Sequence, residues 1–256
     1  VVTDEAETTE ATTEGNKEEN AEDNSSETTE ITTEEDLDKT TKSVDEIISS
    51  EMDSCESYMN DAFGNQWSYG YEWYIYNMLR AGVALDETEL NNYYSSVVDE
   101  VTKWDSTQKP TDIARVALAL SAMGKDITNV GGVNLAAMLY NHPDLDAGSN
   151  ELAYALLALD AKATEIPSDA KWSRDAIINA LLGFQNSENG GFGLFDNKTT
   201  SVDMTSIILQ ALAPYKKDNT QVATAIENGV AYLKNNISAN YDYENNSNST
   251  AQVLMA

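Results

Sequence analysis

The sequence is poor in the residues from which most catalytic and metal sites are built. It holds one cysteine and one histidine among 256 residues. Cys55 alone allows no internal disulfide and no multi-thiolate metal site. A Ser-His-Asp triad would have to be built on His142, and no Gly-x-Ser-x-Gly elbow accompanies it. Basic residues are also few: 15 Lys and Arg face 44 Asp and Glu, a net charge of −29. That balance argues against nucleic acid, whose phosphates need basic contacts, and against an anionic membrane surface. No apolar run is long enough to cross a bilayer, so membrane insertion is not expected. Sustained alternation of apolar and polar residues is missing too, which leaves no sheet to predict.

Residues 1–43 lack aromatics altogether. They carry fifteen acidic residues, eleven threonines and only three lysines. Such a segment cannot bury enough apolar surface to offset its ordering entropy, and is expected to be a disordered acidic stalk. It reads equally as a spacer holding a domain away from a surface and as a plain solvated tail. About −17 of the charge then belongs to residues 44–256. The chain opens on VVTDE without an initiator methionine. A secreted product after signal-peptide removal has this appearance, and so does a recombinant start.

Residues 44–256 suit one helical domain. Apolar residues recur at i, i+3, i+4 and i+7 in three places: Ile113, Val116, Ala117 and Leu120; Leu152, Ala155, Leu156 and Leu159; Met204, Ile207, Ile208 and Ala211. A fourth copy begins at NSTAQVLMA, with Thr250 under Thr205. Successive copies start roughly 40 to 50 residues apart, as expected of stacked helical hairpins. Between two of them, GFQNSENGGFG closes one helix in a glycine turn, and Ser201 or Asp203 caps the next. Asp86 with Glu89 is a capping box for an earlier helix. The stripe Ile47, Ile48, Met52, Cys55 and Met59 predicts an amphipathic helix with Cys55 as a small core residue. Nine helices and the start of a tenth alternate between Ala-rich and striped. Helices apolar nearly all round belong inside and striped ones outside, so the fold class expected is all-α, an α/α toroid of two concentric layers.

QNSENGGFG followed by SVDMTSIILQALA resembles the repeat of squalene cyclases and protein prenyltransferases, whose α/α toroids use a Gln…Gly-aromatic turn. NNISANYDY…NSTAQVLMA looks like a decayed second copy, with Tyr241 under Phe192 and with Asn236, Ala239 and Asn240 replacing the glutamine and glycines. PTDIARVALALSAMGKD and VGGVNLAAMLYN are similar to secreted Gram-positive bacterial members of this superfamily, often found on the cell surface. Toroids of the family usually hold twelve helices, which implies that this one is incomplete at its C-terminal end. The resemblance also implies an extracellular protein, secreted or attached to the cell surface.

The chemistries such a fold hosts were each sought. A cyclase needs Asp-x-Asp-Asp; the strings DLDK at 36–39 and DLDA at 144–147 lack the adjoining aspartate. A prenyltransferase needs zinc on Asp, Cys and His, and Cys55 and His142 stand in separate contexts. His142, before Pro143, reads as a helix-exit histidine. A thioester motif is absent. No catalytic residue, metal ligand or cofactor is therefore assigned.

Binding remains. Intrinsic factor and transcobalamin share the toroid, and SVDMTSIILQALA resembles their Val-Asp-Thr segment, which implies ligand contacts for Asp203, Thr205 and, in the next repeat, Gln252. Capping by Asp203 is compatible with such a contact. Six rings crowd residues 67–76, and of these Trp73 and Tyr76 are candidates to line a ligand site, since aromatic bodies with polar tips suit sugars and planar ligands. Asp112 and Arg115 open the first Ala-rich helix; Arg115 either pairs with a carboxylate or lines the cavity. The expected function is a non-catalytic surface domain capturing a small-molecule ligand, a corrinoid or a glycan. The alternatives are an extracellular enzyme using dispersed carboxylates on carbohydrate or terpenoid, and an adhesion module.

Overall fold

The computed structural model describes residues 43–256 except position 65, so the stalk expected over 1–43 lies, apart from Ser43, outside the described residues. The described residues fall into two units, divided between Ser49 and Ser50. In the first, Ser43 and Glu46 form a reciprocal capping box, with bonds of 2.8 and 3.2 Å, and α1 (Val44–Phe63) begins there.

In the second unit, α2 (Glu72–Arg80), α4 (Pro110–Ala122), α6 (Ser149–Asp160), α8 (Val202–Leu212) and α10 (Ser247–Met255) form a row, each touching the next. The C-terminal ends of α2, α4 and α6 border one cavity, so these three run in the same direction. Between them in sequence come α3 (Glu87–Val101), α5 (Leu135–Tyr140), α7 (Arg174–Leu182) and α9 (Thr220–Asn235). α5 packs on α4 and α6, α7 on α6, and α9 on α8. The all-α class follows from the sequence pattern. Helices α4, α6 and α8 are apolar on most faces and supply most of the core: Ile113, Leu120, Leu152, Leu156, Leu159 and Ile208 are fully buried.

Local chemistry sets the helix starts. Asp86 accepts from the backbone N–H groups of Thr88 and Glu89, Ser173 from that of Ala176, and Asn219 from those of Gln221 and Val222. Arg174 ties the end of α6 to the start of α7, donating to the Asp160 carboxylate at 2.7 Å and to the carbonyls of Leu159 and Thr164.

The connection from α7 to α8 is held by side-chain and backbone bonds together. Gln185 donates to the carbonyls of Gly190 and Ala225, at 2.9 and 2.8 Å, so one amide holds both its own turn and α9. Gly190 has φ of 81°, and a Cβ there would lie 2.6 Å from the Asn228 carbonyl. Phe192 is buried, and its N–H donates to the Thr205 hydroxyl, which in turn donates to the Ser201 carbonyl.

Three expectations are corrected. The turn contains a two-residue antiparallel ladder, β1 (Phe192–Gly193) with β2 (Thr200–Ser201), which arises from the turn and not from apolar alternation. Cys55 is exposed. Of its stripe, Ile47, Ile48 and Met52 are exposed as well, and Met59 packs against the core. Helical spacing defines which residues share a stripe but not whether another element covers it. Lastly, Tyr243, not Tyr241, is the counterpart of Phe192: the Tyr243 N–H donates to the Thr250 hydroxyl, while Tyr241 is 82% exposed. Thr250 does stand where Thr205 stands, donating to the Asn246 carbonyl as Thr205 does to Ser201.

Candidate functional site

Trp73 and Tyr76 lie one turn apart on α2, with ring centroids 6.0 Å apart and edge-on. Tyr154 of α6 meets Trp73 at 5.6 Å. Helix α4 lies between α2 and α6 in the row, so this contact passes over its face. The three rings therefore form one cluster shared by α2 and α6. Trp73 is 39% exposed, and Tyr76 and Tyr154 are half-buried. They offer wide apolar area with hydroxyl and indole tips at small rotamer cost. The Tyr154 phenol is held above its ordinary pKa, first by burial and then by the negative charge of Asp203.

Asp203 thus belongs to the same neighbourhood. It does not cap α8: the chain turns into the helix at Val202, and Ser201, in extended conformation, accepts from the Met204 N–H. Asp203 falls one position inside the first turn, where the helix dipole favours a carboxylate. Its Oδ1 is buried without a hydrogen-bond partner. Glu151 repeats this in the first turn of α6, with Oε2 buried and unpartnered. Buried acceptors of this kind are costly unless a donor arrives.

Asp112 and Arg115 lie in a second cluster. Arg115 stands 3.4 Å from the Glu72 carboxylate and 3.3 Å from that of Asp112. Its guanidinium lies 5.8 Å from the Tyr69 ring centre and 3.4 Å from the Tyr69 hydroxyl. Glu72 is fully buried, and its other oxygen accepts from the Gly70 N–H at 2.8 Å. The charge inside the Ala-rich helix is thus paired, as burial demands. Tyr93 lies fully buried beside Glu72, and burial together with that negative charge pushes its phenol pKa far up.

The remaining candidates are placed apart. Thr205 is fully buried, with its hydroxyl spent on the Phe192–Ser201 turn, and so acts as a clamp out of reach of a ligand. Gln252 faces Gln210 across α8 and α10 at 3.5 Å. His142 is buried; its Nδ1 accepts from the Asp144 N–H and its Nε2 donates to the Gln108 carbonyl at 2.9 Å, so both ring nitrogens serve the loop after α5. Among the described residues no group of three or more His, Cys, Asp and Glu is placed to hold a metal ion, and no helix is long and apolar enough to cross a membrane.

Tyr154 and Glu151 are absent from the sequence-based set. Tyr154 did carry a signal: it is the one aromatic in NELAYALLALDA and falls off the Leu152, Ala155, Leu156, Leu159 face. At the C-terminal ends of α2, α4 and α6, Tyr76, Leu118 and Leu157 border a cavity of about 450 Å³. Compared with known protein families, with curated proteins and with solved structures, the chain matches none.

Proposed function

We propose that α2, α4, α6, α8 and α10 are the inner layer of an α/α toroid of the squalene cyclase and protein prenyltransferase type. The protein, in this reading, is a secreted or cell-surface binding domain that takes a small-molecule ligand, a corrinoid or a glycan, on the hollow side of that layer. The observation that carries it is the Trp73, Tyr76 and Tyr154 cluster, whose Tyr154 feels the charge of Asp203, a carboxylate with one buried, unpartnered oxygen. Rings that stay partly exposed offer stacking area, and a buried acceptor without a donor suits a ligand hydroxyl or amide. The two threonine clamps, at Thr205 and Thr250, support the repeat. An acidic, aromatic-free leader supports display at a surface.

The test is thermal unfolding of the chain with cyanocobalamin and with a panel of neutral oligosaccharides. A ligand at about 100 times its Kd stabilises by about 2.7 kcal/mol, a rise of about 5–10 °C for a domain of this size. Trp73→Ala and Asp203→Ala are expected to lose the rise at a subsaturating dose. Absence of any shift with both classes removes the reading. Turnover of a bound glycan would make the protein an enzyme instead, with Glu151 and Asp203 the first carboxylates to replace.

A further inference from the structure

The cavity at the C-terminal ends of α2, α4 and α6 has a chemistry of its own. Its walls are apolar where Leu79, Leu118 and Leu157 stand, and Arg80 and Lys162 reach it from α2 and from the end of α6. Neither cation has an ion-pair partner among the described residues, although the chain holds nearly three acidic residues for each basic one. The one carboxylate on the wall, Asp160, is taken: Arg174 donates to it at 2.7 Å and the Tyr215 hydroxyl at 2.6 Å. Ser121 also borders the cavity. Its residue is only 5% exposed, yet its hydroxyl has no hydrogen-bond partner.

A basic residue in a last helical turn is ordinary, because it complements the carbonyl end of the dipole. Here those carbonyls are already capped. Leu79 and Met78 accept from Gly82 and Val83, Ser121 and Leu120 from Gly124 and Lys125, and Asp160 and Leu159 from Ala163 and Thr164. The two exposed cations thus have no ion pair and the buried hydroxyl no hydrogen bond, in a cavity that Tyr76 of the ring cluster also borders.

We infer that this cavity binds the oxyanion end, carboxylate or phosphate, of a small molecule whose ring-shaped body lies on Tyr76 and the neighbouring rings. Arg80 and Lys162 are its charge partners, and the Ser121 hydroxyl donates the third bond. The inference rests on the hollow-side binding reading and adds the charge of the ligand to it. About 450 Å³ holds a sugar phosphate or a sugar acid and is too small for a folded partner.

Calorimetric titration of the full chain with glucose 6-phosphate, glucose and inorganic phosphate decides it. Glucose 6-phosphate is expected to bind at least about tenfold more tightly than glucose, and more tightly than phosphate alone, with affinity falling as salt rises. Arg80→Gln and Lys162→Gln, both at exposed positions that leave folding intact, are each expected to weaken it about tenfold, and Ser121→Ala a few-fold. Equal binding of glucose and its phosphate, unchanged affinity in the Arg80 and Lys162 variants, or no binding of the phosphate sugar overturns the inference. The two readings fail separately. Neutral ligands that bind through Trp73 leave the hollow-side reading standing without the oxyanion; phosphate binding that ignores Trp73→Ala leaves the cavity without the hollow.

Discussion

The same connection is built twice in this chain, once well and once loosely. Between α7 and α8, Gln185 bonds both its own turn and α9, Gly190 and Gly191 let the chain pass against Asn228 and Tyr232, and β1 pairs with β2. Between α9 and α10, Asn236 reaches only the Tyr232 carbonyl of its own helix, and Tyr241, Glu244 and Asn245 occupy left-handed conformations without being glycine. What the two share is the threonine: Thr205 and Thr250 each accept from an aromatic residue's N–H and donate to the carbonyl of the residue that caps the following helix, α8 or α10. The threonine clamp is thus common to the starts of α8 and α10, whereas only the first turn is tied to α9, through glutamine and glycine.

The largest expected effect is at Gly190. An alanine there must hold a left-handed φ and drive its Cβ into the Asn228 carbonyl, so Gly190→Ala should cost about 3 kcal/mol in denaturant unfolding. Next come the clamps. Thr205→Val leaves the buried Phe192 N–H without a partner and should cost about 2 kcal/mol, while Thr250→Val, at a part-buried bond, should cost about 1 kcal/mol. Equal costs would mean that the two turns do equivalent work.

At Tyr241 the sign reverses. The side chain is exposed and the backbone has φ of 62°, so Tyr241→Gly should stabilise by about 0.5 kcal/mol, read as a higher denaturant midpoint. The smallest effect is a pH dependence confined to the first turn. Asp196 accepts from the Thr199 and Lys198 N–H groups, and these bonds hold its carboxyl below the ordinary 3.8. With the folded value depressed, its contribution is complete above the unfolded value and fades as the pH falls through the folded one. Proteolytic nicking of the 186–200 loop should rise over that window, and Asp196→Asn should flatten the rise.

Much of this was legible from residue types and spacing. The cap Asp86, the glycine turn, and the pairing of Thr205 with Thr250 all depend on contacts within a few residues or on a repeated pattern. The errors have a common cause. Tyr241 and Tyr243 are both aromatic, and only burial separates them. Cys55 sits on a helical stripe of which only Met59 packs against the core. Of the two caps open for α8, Ser201 takes the role because the chain enters the helix at Val202, which leaves one Asp203 carboxylate oxygen without a partner.

The sequence by itself determined the all-α class, the alternation of apolar and striped helices and most helix starts, because period, capping and turn chemistry are local properties. Tertiary structure alone decided which side chains meet. Arg115 is paired because Glu72, more than forty residues earlier, is buried against it, and Tyr154 joins Trp73 because α2 and α6 both pack on α4. Cavity walls, unpartnered oxygens and unpaired cations come from such long-range placement, since burial turns an ordinary polar residue into one that needs a partner.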